Sequence, residues 1–243
     1  LTAISSLPFL SPPPLPPSLP PMATLLHFPA NSPPTSSLKH LIKPNPLSNP
    51  SIPSKIPRFS LSASSQSLSA KTHLLNLIAD QERGLKTQTN PKIRSQIIDA
   101  IDALAVLGRD LITTGPSLSG TWRMLWTTEK EQLYIIKNAN WFGTQVGDVL
   151  QVIDVENLKL DNVITFPPSG VFFVRSSIEI ASDQRVNFRF TSAVLQGKDW
   201  ELPLPPFGQG WFESVYLDND IRVAKDIRGD YLVVDRAPYG WKE

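Results

Sequence analysis

Two kinds of hydrophobic periodicity divide most of the chain. Over residues 71–108, apolar side chains recur every three or four positions in two runs, which predicts two amphipathic helices. The first run, KTHLLNLIADQER, ends before Gly84. The second, TNPKIRSQIIDAIDALAVLG, has Asn90 as its N-cap, Pro91 at the first helical position and Gly108 at its C-terminal cap. Their apolar stripes suit docking on the rest of the fold, which is the commonest case, or on a partner or a membrane surface.

After Gly120 the pattern changes to an alternation of apolar and polar residues, which is typical of strands. Nine strands are predicted, at 121–128, 132–137, 145–153, 158–166, 171–181, 184–194, 211–218, 220–226 and 230–236. Because no helix is predicted between them, they favour an antiparallel meander, and their number favours closure into a barrel. The predicted fold is mainly β: an antiparallel β-barrel over residues 118–236, preceded by two amphipathic helices and a disordered leader.

One segment interrupts the alternation. LPLPPFGQGW, residues 202–211, combines three prolines and two glycines with apolar residues, so it cannot be a central strand. We expect an apolar loop at a barrel mouth or across one end of the barrel. Aromatic residues in or beside such loops are candidates for a ligand portal or a membrane contact, and five are named here: Trp141, Phe142, Trp200, Phe207 and Trp211.

The first 70 residues differ in composition from the rest. They hold 16 of the 24 prolines, many serines, four basic residues and no acidic residue. Such a segment buries too little apolar surface to offset its chain entropy, so residues 1–65 are predicted to be a disordered leader. Its composition suits an organelle transit peptide that starts at Met22 and is cleaved within 58–70, or else a plain disordered tail. Residues 66–243 then form the folded domain, with its helices at 71–108.

Charge and composition exclude several classes of function. Because the leader carries +4 of a net charge of +1, the remainder carries −3, which does not suit a nucleic-acid binder. No stretch approaches the length of a membrane-spanning helix. The chain has no cysteine, and His73 is its last histidine, so the side chains that most often serve covalent and acid–base catalysis are absent from the barrel region. No nucleotide-binding motif is present, and no cofactor is predicted.

Carboxylates leave two other chemical readings open. Glu179 with Asp183, or Glu213 with Asp218, could form a catalytic pair, although solvated surface charge is far commoner. Aspartates recur near the C-terminus and could suggest a hard metal ion: Asp218, Asp220, Asp226 and Asp230. Their spacing fits no EF-hand loop, and aspartate is frequent in turns, so we predict neither a metal site nor an enzyme.

The stretch SLSGTWRMLWTTE opens the first predicted strand with Gly120 and Trp122. A large aromatic residue at this position can plug one end of a small barrel, and the glycine lets the backbone turn before it. In lipocalin-type barrels a basic side chain from a late strand packs over such an indole. Arg222 and Arg236 are the candidates for that partner.

The segment YLDNDIRVAKDIRGDYLVVDR, residues 216–236, resembles the final strands of the plastid lipid-associated proteins, or fibrillins. The matching residues include Tyr216, Asp218, Asp220, Arg222, Arg228, Gly229 and Asp230; the VAKDI spacing before Arg-Gly-Asp is longer than in the family pattern. The Gly-x-Trp opening, the helices and the leader also agree, so the resemblance covers about residues 71–236. It implies a lipocalin-like barrel in a plastid. In this reading the charged residues of the motif form a polar lattice at one rim, either structural or in contact with a ligand headgroup.

The resemblance implies a non-enzymatic protein that binds hydrophobic metabolites, such as a carotenoid, a prenylquinone or an acyl lipid. It also implies peripheral association with thylakoid membranes or plastoglobules in the chloroplast. The alternative is a structural scaffold or regulator of plastid enzymes of isoprenoid or lipid metabolism. A hollow apolar barrel favours the first hypothesis, and a filled barrel favours the second.

Overall fold

The computed structural model of the protein describes residues 61–142 and 144–242, leaving aside the side chains of 61–64, 141 and 142. The predicted leader therefore lies outside the described residues as far as residue 60. Residues 61–65, which the composition assigns to the leader, are helical.

Two long helices precede the barrel: α1 (Leu61–Ile78) and α2 (Pro91–Gly108). Asn90 caps α2 as predicted, because its side-chain oxygen accepts a hydrogen bond from the backbone N–H of Ile93 at 3.2 Å. Helix α1 starts ten residues before the predicted start. Its first half is rich in serine, which favours a helix only weakly, and contacts with the barrel hold it in place.

The C-terminal end of helix α2 lies so close to the sheet that it requires a glycine. Gly108 is the last helical residue and not the cap that was predicted. A Cβ at this position would lie 2.2 Å from the carbonyl oxygen of Val215, so the glycine allows the helix end to approach the sheet.

Both helices pack on the outer face of the barrel, as the commonest reading of their apolar stripes predicted. The helix side chains in this contact are Leu74, Ile78, Ile97, Ala100, Ile101 and Leu104, and the barrel side chains are Trp126, Tyr216, Ile221, Val223 and Val233. None of the helices in the described ranges is both long and apolar enough to cross a membrane.

Nine strands follow: β1 (Gly120–Thr127), β2 (Val149–Asp154), β3 (Lys159–Phe166), β4 (Gly170–Ile180), β5 (Arg185–Gln196), β6 (Glu201–Leu204), β7 (Gln209–Leu217), β8 (Ile221–Asp226) and β9 (Tyr231–Arg236). Each pairs antiparallel with its neighbours in the order β4-β3-β2-β1-β9-β8-β7-β5-β6, and β4 also pairs with β5. Eight strands thus close into a ring, and β6 remains at an edge. The prediction of a closed antiparallel meander is confirmed.

The prediction of a strand at 132–137 is wrong. These residues belong to a helix, α3 (Lys130–Asn138). Acidic Glu131 in its first turn and basic Lys137 in its last turn suit the helix dipole. The apolar and polar alternation, from which the strand was predicted, does not include this signal. Ile135 and Ile136 pack against the interior of the barrel, so α3 lies across one end of it.

The prediction of a loop at 202–211 is wrong in part. Residues of β6 pair with the second half of β5, and β7 pairs with its first half, so β6 and β7 form one strand that is interrupted at 205–208. Pro203 is tolerated because β6 is an edge strand. The prediction that this segment is no central strand is confirmed for β6, whereas residues 209–211 belong to β7, which lies between β5 and β8.

Alternate residues of the strands point into the barrel. We call its two ends the Trp122 end, which carries the turns 155–158, 181–184 and 218–220, and the α3 end, which carries the turns 167–169 and 227–230. A large buried cluster lies between them. It consists of Leu118, Trp122, Met124, Val149, Ile153, Leu160, Ile164, Phe172, Val174, Ile178, Val186, Ala193, Phe212, Leu217, Ala224, Leu232 and Val234.

Candidate ligand-binding cavity

Trp122 closes one end of the barrel. Its side chain is fully buried, and its indole N–H donates to the carbonyl oxygen of Leu118 at 2.8 Å. Leu118 is fully buried as well. The indole therefore blocks this end against water with its only polar group satisfied.

Arg236 lies over the indole of Trp122, with its guanidinium carbon 4.2 Å from the ring centroid. The guanidinium donates to the carbonyl oxygens of Ser117 at 2.8 Å, Ser119 at 3.0 Å and Asn219 at 3.1 Å. Gly120 has a φ of +144°, and a Cβ there would lie 2.5 Å from Nη1 of Arg236. The glycine that opens the strand thus supplies both an unusual backbone conformation and the space that Arg236 occupies.

Arg222 is the other cation near Trp122, but it lies inside the barrel. It is 0% exposed, and its guanidinium carbon lies 5.6 Å from the Trp122 ring and 5.3 Å from the Phe212 ring. Nη2 donates to Oε1 of Gln151. Nε and Nη1 have no hydrogen-bond partner among the described residues.

No carboxylate of the described residues pairs with the charge of Arg222. Burial lowers the pKa of Arg222 to about 9, which leaves the side chain protonated at neutral pH. Asp226 lies four residues further along β8, about 13 Å away along the strand. A buried cation without a charged partner costs on the order of several kcal/mol of folding free energy. We therefore expect Arg222 to have a function.

A cavity of about 150 Å³ lies inside the barrel, between Arg222 and the α3 end. Its walls are mostly apolar, and Gln151 and Asn162 add amide groups beside Arg222. The apolar side chains are Met124, Ile135, Val149, Leu160, Ile164, Phe172, Val174, Phe188, Phe190, Phe212, Ala224, Leu232 and Val234. The Nε2 of Gln151 donates to Oδ1 of Asn162 at 2.9 Å, which fixes the amide that holds Arg222.

Charged residues line the cavity at the α3 end. Arg228 donates through Nη1 to Glu131 at 2.8 Å and through Nε to Asp226 at 3.3 Å. Glu129 accepts a hydrogen bond from Gln132 at 2.6 Å. Burial, together with nearby Asp226, raises the pKa of Glu129 to about 8. At neutral pH this carboxyl is therefore protonated, which lowers the negative charge at the mouth.

The prediction that the charged motif residues form one polar lattice at one rim is wrong. The turn 218–220 and the turn 227–230 lie at opposite ends of the barrel, because the six residues of β8 run its length between them, about 20 Å. Arg228, Gly229 and Asp230 belong to the α3 end, Asp218 and Asp220 to the Trp122 end. The four C-terminal aspartates accordingly form no common metal site, and no cluster of metal-ligating side chains occurs in the described ranges.

At the Trp122 end, the motif residues fasten α1 to the barrel. Lys71 donates to Asp218 at 2.8 Å and to Asp220 at 2.7 Å. The hydroxyl of Tyr216 lies 2.6 Å from that of Ser67 and donates to Asp218 at 3.0 Å. Although burial opposes ionisation, Lys71 and two backbone N–H groups keep the pKa of Asp218 below its usual value. These contacts hold a helix, and they lie away from the cavity.

The five aromatic residues proposed as a portal have different surroundings. Trp200 is 55% exposed and Phe207 is 51% exposed, on either side of β6. Trp211 is half-buried on the outer face of β7, with the Arg185 guanidinium 4.1 Å from its ring centroid. The side chains of Trp141 and Phe142 lie outside the described part of the chain. Trp200 and Phe207 thus fit the proposed apolar contact better than Trp211 does.

Three residues of the cavity were not predicted from the sequence: Gln151, Asn162 and Glu129. The first two interrupt apolar runs at positions that face the interior, between Val149 and Ile153 and between Leu160 and Ile164. A polar residue at an inward position of an alternating strand was the signal that could have found them. Glu129 carried no such signal, since its burial depends on how α3 folds over the barrel.

Comparisons with known proteins identify the family of this chain. The PAP_fibrillin family model matches residues 68–235. "Probable plastid-lipid-associated protein 11, chloroplastic" from Arabidopsis thaliana is 70% identical over 174 residues, which cover 72% of this chain and 82% of that protein. No solved structure matches the chain. Together, the family match over most of the described residues and the similarity to the Arabidopsis protein show that the chain belongs to the PAP/fibrillin family of plastid-lipid-associated proteins.

Proposed function

We propose that this chain is a chloroplast protein whose barrel takes up the apolar end of a hydrophobic metabolite, without catalysing a reaction. The cavity is the observation that carries the proposal, because it is apolar and lies inside a closed barrel. A cavity of about 150 Å³ admits a group as large as a benzene ring. It would therefore receive one end of a carotenoid, a prenylquinone or an acyl lipid, and the rest of that molecule would emerge from the barrel.

Exposed apolar side chains favour peripheral contact with a lipid surface, at thylakoids or plastoglobules. Trp200, Leu202 and Phe207 are each about half exposed, and they lie on or beside β6. Phe190, which lines the cavity, pairs with Gly208 in the interruption between β6 and β7. A lipid surface touching β6 would thus lie close to the cavity wall. The plastid and chloroplast in the name of the similar Arabidopsis protein support the same location.

The cavity is tested by filling it. Ala224 is buried and lines the cavity, so Ala224→Leu places three more carbon atoms in the space that the ligand would use. We expect binding of plastid lipids, measured by quenching of tryptophan fluorescence, to weaken about tenfold or more. Ala103→Leu, at an exposed position of α2, is the matched control and should bind like the wild type. Equal binding by the two variants would show that the ligand does not use the cavity.

The lipid contact is tested by flotation with liposomes of plastid lipids. The double substitution Trp200→Ser and Phe207→Ser removes exposed apolar area, and each large aromatic contributes about 1.5–3 kcal/mol when buried in lipid. We expect most of the liposome-bound fraction to be lost. Ile112→Ser, at a residue that is 67% exposed beyond the end of α2, should leave flotation unchanged. Equal flotation of all three proteins would refute the contact.

A scaffold for plastid enzymes is the second candidate function. A separate group of exposed apolar residues favours it: Val106, Leu107, Leu111 and Ile112, at and beyond the end of α2. This patch would suit a protein partner. In a pull-down from chloroplast extract, Ile112→Ser should lose such a partner while Ala224→Leu retains it.

A further inference from the structure

We propose that the barrel selects long-chain ligands that carry a carboxylate, which the guanidinium of Arg222 binds inside the cavity. This inference rests on the proposed function, since it names the head group of the molecule that the cavity takes up. Three observations carry it: the burial of Arg222, its unpaired donors and its place in the cavity wall.

Two donor nitrogens of Arg222 are left unsatisfied by the described residues. A guanidinium has five N–H donors, and the hydrogen bond from Nη2 to Gln151 uses one of them. Nε and Nη1 have no partner among the described residues although both atoms are buried. Buried polar groups in native proteins are almost always hydrogen-bonded, so these two nitrogens indicate an acceptor that binds from the cavity.

Arg222 makes fewer structural contacts than Arg236, apart from its ring contacts with Trp122 and Phe212. Arg236 already lies over the Trp122 indole, at 4.2 Å against 5.6 Å for Arg222, and it makes three hydrogen bonds to backbone carbonyl oxygens. Arg222 makes no salt bridge with any described carboxylate. The amide pair of Gln151 and Asn162 instead orients its guanidinium.

A carboxylate is the acceptor that suits this environment best. It brings the opposite charge, and its two oxygens match the planar guanidinium. The walls around it are apolar, so the rest of the ligand must be a hydrocarbon chain. A carboxylate that reaches Arg222 lies at the inner end of the cavity, and the small cavity then obliges the chain to leave toward the α3 end.

The acidic mouth does not exclude such a ligand. Arg228 is hydrogen-bonded to both Glu131 and Asp226, and Glu129 is protonated at neutral pH. The remaining negative charge slows entry of an anion, but the equilibrium affinity depends on the contact with Arg222.

Calorimetric titration of the full chain with dodecanoate, methyl dodecanoate and dodecanol tests the proposal at neutral pH. A charge-assisted hydrogen bond should make dodecanoate bind about 10- to 100-fold more tightly than either neutral ligand. Arg222→Met should remove this preference and leave the binding of dodecanol within about threefold of wild type. Arg189→Met, at an exposed residue of β5, is the matched control and should keep the preference.

The outcomes separate this proposal from the proposed function. If dodecanoate and dodecanol bind the wild type equally well, Arg222 is no anchor, while the cavity still binds lipids. If dodecanoate keeps its advantage in Arg222→Met, the anchor lies elsewhere and the proposal is wrong. If none of the three ligands binds, the proposed function fails as well. Should Arg222→Met not fold, as judged by circular dichroism, Arg222→Lys takes its place and should weaken dodecanoate more than dodecanol, because lysine lacks the planar guanidinium. Equal weakening of the two ligands would then refute the proposal.

Discussion

Trp122→Ala should lower the free energy of unfolding by about 3–5 kcal/mol, the range for removing a large buried aromatic side chain. The indole is fully buried, it closes one end of the barrel, and its N–H is bonded to Leu118. The substitution would leave a cavity against Leu118 and would remove the ring over which Arg236 lies. Urea denaturation followed by circular dichroism measures the change as a shift in midpoint.

Trp241→Ala is the matched control for this prediction. Trp241 is half-buried on the outer face of the barrel, where its ring centroid lies 6.2 Å from that of Phe173. Its loss should cost clearly less than the loss of Trp122. A Trp122→Ala protein with the midpoint of the wild type would show that the indole does not stabilise the barrel end.

Removing α1 should also have a large effect. A chain that begins at residue 79 lacks Leu74 and Ile78, which are almost fully buried against the barrel, and it lacks Lys71 as a partner for Asp218. Burial of the two apolar side chains alone contributes about 3–6 kcal/mol. We expect the shortened protein to unfold at a much lower urea concentration or not to fold.

A chain that begins at residue 61 is the control for the removal of α1. It keeps the entire helix, together with the contact between Ser67 and Tyr216. Its unfolding midpoint should equal that of the full chain. Equal midpoints for the chains that begin at 61 and at 79 would show that α1 contributes nothing to stability.

The alternation of apolar and polar residues was sufficient to predict the barrel. RVNFRFTSAV, for example, lies within β5 and directs Val186, Phe188 and Phe190 to the interior. The same rule failed at 132–137, because a short helix with Leu133, Ile135 and Ile136 also reads as a partly apolar run. Alternation reports which face is apolar, but short runs do not distinguish a strand from a helix.

The candidate site was predicted less well than the fold. Gly120, Trp122 and Arg236 lie together at one barrel end. This contact could be predicted, because a turn glycine, a large aromatic residue and a basic residue of a late strand can be recognised from the sequence. The position of Arg222 could not be predicted in the same way. Its motif neighbours Asp218 and Asp220 are close in sequence but lie in a turn outside the barrel, and only the closure of the ring places Arg222 inside.

The edge position of β6 bears on aggregation. An apolar edge strand normally offers free N–H and C=O groups to a strand of another molecule, which is a route to fibrils. Here β6 and the interruption after it contain Pro203, Pro205 and Pro206, none of which has an N–H to donate. The prolines that interrupt the strand between β6 and β7 therefore leave this edge with fewer N–H donors for a strand of a second copy, although Trp200 and Phe207 are exposed beside it.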